Sequence, residues 1–326
     1  MSPCSTEDVV GTGRKIRNPR RSNKRHPKVE AFERILLECF VVGIRKYFEF
    51  VRFSHTVFAL PFALASMVVA AGANRGWPGW RTFLLILASM VCARTAAMGF
   101  NRIVDRKLDA LNPRTAHRHL PKKQISLTGA WTLVAISGLD LVGLAWLINP
   151  LCGYLSPVAL LIVFFYSFTK RFTDFSHFFL GLALGIAPLG AWLAVRGRFD
   201  WPPVVLAAAV VFWLVGFDII YATEDYEFDK AQGLRSLPAR LGIDGSLRVA
   251  RAAHAVTAAL LLAFGLISNL RVPYYFGLAI ILACLVVQHI LARKRDPVSL
   301  NAAFFRMNAV ISAVFLGAVV IDVVSR

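Results

Sequence analysis

The apolar positions of this chain do not alternate with polar ones but run in blocks, such as Phe53 to Ala73, Thr82 to Phe100 and Ala303 to Val324. A bilayer core about 30 Å thick is crossed by about 20 residues of α-helix, so each block is long enough to span it. Apolar stretches of this length, bounded by charges or by glycine and proline, predict nine spans at roughly 53–73, 81–100, 128–148, 151–168, 175–195, 203–223, 248–269, 272–292 and 303–324. The predicted fold class is all-α, a polytopic membrane protein with nine transmembrane helices.

Two segments precede the spans. Residues 29–52 mix Phe32, Ile35, Leu36, Phe40, Ile44 and Phe48 with Glu30, Glu33, Arg34, Arg45 and Lys46. That pattern predicts an amphipathic helix, lying on the membrane surface or packed on the bundle. The first 30 residues are polar and basic with no apolar run, so they are expected to lack the hydrophobic stretch of a cleaved signal peptide. Residues 1–28 are expected to be a disordered basic tail, with an organelle transit peptide as the alternative. The domain proper is then 53–326.

Composition agrees with the pattern. Of 326 residues, 57% are hydrophobic and 17% charged, against about 45–50% and 25% in soluble chains. The net charge of +18 would suggest nucleic acid in a soluble protein, but its distribution decides otherwise. With nine spans, residues 1–52 share a side with the loops near 101–127, 169–174, 224–247 and 293–302. That side holds 27 of the 37 lysines and arginines, and the opposite side holds 6. By the positive-inside rule it is cytoplasmic, or the equivalent face of an organelle, and the N-terminus lies there. The expected location is a bacterial inner (cytoplasmic) membrane, with lipid and not nucleic acid as the partner.

The outer connections are short, whereas the inner loops after the second and sixth spans are long, and long loops on one face commonly carry function. The first begins with Asn101, Asp105 and Asp109, spaced so that they stack along one face if the second helix continues beyond the bilayer. The second contains Asp218, Tyr221, Asp225 and Asp229, which would also share a helical face. Both clusters leave spans that run outward to inward, so they meet at one membrane face. Mg²⁺ commonly takes one or two carboxylates, waters and the oxygens of a substrate phosphate, so the pair points to a diphosphate held through metal.

Arg94 lies two turns inside the second span, where an unpaired arginine costs roughly 2.5–3.5 kcal/mol. It precedes Asn101 by seven residues and so faces the same way, toward a carboxylate, an anionic substrate or, as a purely structural alternative, Asp140. Tyr166, Lys170 and Arg171 end the fourth span, either to neutralise a departing diphosphate or as an interfacial anchor. The five cysteines form no C-x-x-C pair, and His117 and His119 form no metal-ligand spacing. There is no glycine-rich phosphate loop, no G-x-S-x-G and no H-E-x-x-H.

Asn101-x-x-x-Asp105-x-x-x-Asp109, followed by Asp218-x-x-Tyr221-Ala222-x-x-Asp225-x-x-x-Asp229-x-x-x-Gly233-x-x-Ser236, resembles the UbiA family of intramembrane prenyltransferases. The resemblance covers nearly the whole chain past about residue 45. It implies a ring of nine helices around a cavity with capping loops on the cytoplasmic face. It also implies Mg²⁺, a polyprenyl diphosphate donor and an aromatic or similar acceptor. Carried over by position, Asn101, Asp105, Asp109, Asp218, Asp225 and Asp229 resemble the metal-diphosphate residues. Arg102, Tyr221, Lys170 and Tyr166 resemble contacts to the diphosphate or the transition state, and Arg52 and Arg94 resemble groups facing an acceptor carboxylate.

The stretches Phe53–Phe62, Arg94–Met98 and Asn112-Pro113-Arg114-Thr115 resemble the 4-hydroxybenzoate polyprenyltransferase-like branch. This implies 4-hydroxybenzoate as acceptor in ubiquinone biosynthesis, with a dihydroxynaphthoate of menaquinone biosynthesis as the alternative. His55 and Thr56 stand where the hydroxybenzoate enzymes tend to have a basic residue and proline. Haem, chlorophyllide and lipid-glycerol acceptors occur on the same scaffold. The rival from another class is an ion-coupled transporter using Arg94 and Asp140, although acids clustered at one mouth and an odd number of spans do not suit inverted repeats.

Overall fold

A computed structural model describes residues 46–47, 49–51 and 58–326, with the side chain of Pro297 left out. The predicted tail, most of the amphipathic segment and Arg52 lie outside the described residues. The helices are α1 (Leu60–Ala70), α2 (Trp80–Leu111), α3 (Leu127–Ile148), α4 (Pro150–Thr169), α5 (Ser176–Arg196) and α6 (Trp201–Ala222). They continue with α7 (Tyr226–Ala231), α8 (Leu237–Ile267), α9 (Val272–Ala292), α10 (Pro297–Asn301) and α11 (Asn308–Val324).

Among the described residues eight helical segments are long and apolar enough to cross a membrane, and the shorter α1 falls within the predicted first span, of which residues 58–73 are described. Local chemistry places the ends. Proline stands in the first turn of α4, α6, α8 and α9, where a missing N–H costs nothing. The side chains of Ser126, Asn149, Ser236 and Asp296 each accept a hydrogen bond from a first-turn N–H.

Several predicted boundaries differ at the end of the bundle that carries the acidic clusters. Run length ends the second span at residue 100, and α2 runs unbroken past it to Leu111, the continuation that the stacking of Asn101, Asp105 and Asp109 requires. Hydropathy marks only the part in lipid, and Arg102, Asp105 and Asp109 do not interrupt backbone hydrogen bonding. The face expected for Asp218, Tyr221, Asp225 and Asp229 is not one helix. A 3₁₀ turn at Thr223–Asp225 separates α6 from α7. The seventh span begins earlier than predicted, at Leu237, with a kink at Gly242, whose φ of 70° favours glycine. The ninth contains a π-helical turn at Ala302–Met307 before α11.

Neighbours in sequence pack in order, α2 on α3, α3 on α4, α4 on α5, α5 on α6 and α6 on α8, while α9 packs on α11, which brings the chain back onto α1. The core joins Phe62, Trp213, Phe264, Tyr274 and Phe315, all fully buried. His254 ties three helices together. Its Nε2 donates to the Trp213 carbonyl at 3.2 Å, and its Nδ1 lies 2.9 Å from Nε2 of His289. Gly216 makes room for that ring, because a Cβ there would sit 2.1 Å from His254 Cδ2. Gly216→Val is therefore expected to destabilise the bundle by about 1–3 kcal/mol, as overpacking does, seen as a lower melting temperature in detergent. An unchanged melting temperature would contradict this.

Candidate functional site

The continuation of α2 stacks Asn101, Asp105 and Asp109 turn upon turn at one end of the bundle. Asn101 Nδ2 donates to Asp105 Oδ2 at 3.0 Å, and Arg171 Nη2 donates to Asp105 Oδ1 at 3.1 Å. Asp109 accepts from Arg118 Nη1 at 2.5 Å, and Arg102 Nη1 stands 3.9 Å from its other oxygen. Arg102 and Asp109 are both buried.

The second cluster is built across the loop between α2 and α3. Arg114 donates through Nε to Asp225 Oδ1 at 2.9 Å, through Nη2 to Oδ2, and through Nη1 to the Tyr221 hydroxyl at 2.7 Å. Asn112 Nδ2 donates to Asp225 Oδ1 at 3.2 Å. Phe304, from the π-helical turn, stacks on the Tyr221 ring with centroids 4.2 Å apart. On α6, Asp218 Oδ2 lies 2.6 Å from Nδ1 of His177. Asp229 is buried on α7.

Electrostatics draws the two clusters together at Lys170, just past the end of α4. Burial alone would lower the pKa of this amine, but Asp229, Asp218, Asp225 and Asp105 outweigh it and raise the value above that of an ordinary lysine. The pKa of Arg114 is likewise raised despite its burial, through the hydrogen bond and charge of Asp225.

One cavity of about 630 Å³ is lined by every predicted site residue except Arg52, namely Arg94, Asn101, Arg102, Asp105, Asp109, Tyr166, Lys170, Asp218, Tyr221, Asp225 and Asp229. Besides these it has apolar walls, including Ile86, Met90, Leu180, Leu214 and Phe217. Arg94 and Tyr166 lie within electrostatic reach of each other. Asp140 is exposed on α3 and does not line the cavity, which argues against the structural pairing with Arg94 considered above. His119 is half-buried, with Phe50 against its ring.

Of the basic groups that answer the acids, Lys170, Arg171 and Arg102 are legible in the sequence, whereas Arg114 stands there only within a resembling stretch and Arg118 and His177 carry no assignment. Two arginines one helical turn apart, directly after an acidic helix end, were the available signal for the first pair. His177 had none, since its partner lies 41 residues away.

Among the described residues no three His, Cys, Asp or Glu side chains converge on one metal position. The donors are nonetheless hard oxygens, and Asp109 Oδ2 and Asp229 Oδ2 are buried without a hydrogen-bond partner among the described residues. That set suits an ion taking one or two carboxylates plus waters and phosphate oxygens.

Residues 59–310 match the sequence profile of the UbiA prenyltransferase family. A 4-hydroxybenzoate octaprenyltransferase of Vibrio campbellii is 27% identical over 273 residues, 84% of this chain and 96% of that protein. The apo structure of a UbiA homolog from Aeropyrum pernix K1 superposes with a TM-score of 0.74 at 31% identity, covering 82% of this chain and 98% of that one. A UbiA homolog from Archaeoglobus fulgidus bound to DMAPP and Mg²⁺ shares the fold, with a TM-score of 0.67 at 23% identity over 86% of this chain and 99% of that one.

Proposed function

Since the chain belongs to the UbiA prenyltransferase family and is a multi-pass membrane prenyltransferase, we propose that it joins a polyprenyl group to an aromatic carboxylic acid, 4-hydroxybenzoate first, in quinone biosynthesis. The observation that carries this is the single cavity in which two acid clusters and Lys170 stand at one mouth while Arg94 stands among apolar walls. A polyanion and a small carboxylate are thereby offered separate cationic partners.

Asn101, Asp105, Asp109, Asp218, Asp225 and Asp229 would hold Mg²⁺, which supplies charge neutralisation of the diphosphate when bound. Lys170, held charged by four aspartates, meets the departing diphosphate, with Arg102 and the Arg114-bound Tyr221 hydroxyl beside it. Breaking the C–O bond leaves an allylic cation, which the ring carbon ortho to the acceptor hydroxyl attacks before losing its proton. The apolar walls keep water from quenching that cation. The aromatic groove of about 840 Å³ between α4, α5 and α6 shares Ile162, Ile186 and Leu189 with the cavity and offers room for a long prenyl tail. The 27 basic residues on one side favour a cytoplasmic mouth in a bacterial inner membrane. The transporter alternative is disfavoured, since Asp140 lies outside the cavity.

The test is to incubate membranes containing the protein with Mg²⁺ and a polyprenyl diphosphate, offer 4-hydroxybenzoate and a dihydroxynaphthoate in parallel, and identify products by mass. A prenylated hydroxybenzoate is expected; a naphthoate product alone would reassign the acceptor. Arg94→Leu is expected to raise the acceptor KM by about 10- to 100-fold, the worth of a hydrogen bond to a charged group, with the donor KM little changed. Equal effects on both substrates would contradict the role of Arg94.

A further inference from the structure

His177 occupies the first turn of α5 and is 1% exposed. Its Nδ1 is 2.6 Å from Asp218 Oδ2. A carboxylate only accepts, so Nδ1 carries the hydrogen and donates it. Nε2 has no hydrogen-bond partner among the described residues, and the residue lines the reaction cavity together with Asp218.

Helix spacing produces this contact. His177, Gly181 and Gly185 recur every four residues and form one stripe along α5. A Cβ on Gly181 would lie 2.8 Å from the Val211 carbonyl oxygen, and one on Gly185 3.1 Å from that of Ala207. Small residues let two membrane helices approach backbone to backbone. The helices run antiparallel, so one more turn along the seam brings the start of α5 level with Asp218 near the end of α6.

We propose that His177 is a positioning residue, which by its Nδ1–H holds Asp218 in the rotamer that presents its second oxygen to the metal-diphosphate site. The inference rests on the reading of Asp218 as a metal ligand. Asp218 turns on two side-chain bonds and is only partly enclosed, with 21% of its side chain exposed. A ligating carboxylate gains affinity when a neighbour fixes its orientation, and losing such a partner commonly costs 10- to 100-fold in metal binding.

The experiment measures Mn²⁺ binding by electron paramagnetic resonance to the purified full chain, with inorganic pyrophosphate present. His177→Leu is expected to weaken binding by about 10- to 100-fold. His177→Asn, whose side-chain N–H stands close to the position of Nδ1–H, should recover most of it. Asp218→Asn should also weaken binding, and adding His177→Leu to it should change nothing further. His177→Ala serves in the same comparisons if the leucine variant does not fold. Unchanged Mn²⁺ binding in the His177 variants, beside a loss in Asp218→Asn, overturns the proposal alone, as does a fully additive double variant. Unchanged binding in Asp218→Asn overturns the metal reading of Asp218 and the proposal with it.

Discussion

Asp225→Ala is expected to lower prenyl transfer by about a thousandfold, the upper range for removing one preorganised electrostatic group from a reaction site. Its carboxylate accepts from both Arg114 and Asn112, so its loss removes an acid from the site and the anchor of the Arg114–Tyr221 pair. The protein should still fold, because the Arg114 side chain is 31% exposed and water can take over the lost partner. Size-exclusion chromatography in detergent and Mg²⁺-dependent transfer, measured on the same preparation, check both halves. Substantial transfer in the variant would refute the assignment of this cluster.

Lys170→Met is expected to cut kcat by about 100- to 1000-fold through loss of the charge that meets the leaving diphosphate. Methionine keeps much of the length and apolar stem, so the donor KM should move less than kcat. The pH dependence has a definite sign. Burial lowers the pKa of this amine, the four aspartates raise it by more, and the net shift is upward. The charged form therefore persists to higher pH than in an ordinary lysine and is lost only as pH rises through the raised value. The wild-type enzyme should show no alkaline loss of kcat from Lys170 below the ordinary lysine range. A loss there that disappears in Lys170→Arg would contradict this.

Much of the candidate site is legible in the chain. Spacing puts Asn101, Asp105 and Asp109 on one face provided the helix continues, and α2 does continue to Leu111. Asp218, Tyr221, Asp225 and Asp229 reach the same cavity, though by a 3₁₀ turn and a second helix instead of one long face. Spacing predicts a face only while the helix persists, and a break after Ala222 has no strong marker such as proline or glycine. Arg94 was legible for another reason: a charge inside an apolar block is costly and must be turned inward.

Hydrophobic run length and helical spacing are local properties. They were enough to establish a multi-pass helical membrane protein with two acid groups emerging at one membrane face. Only the packed helices decided which cation answers which carboxylate. Arg114 meets Asp225 across 111 residues, and His177 meets Asp218 through a glycine seam that lets α5 and α6 close up. Such pairs depend on how near two backbones can come, and separation along a chain does not encode separation in space.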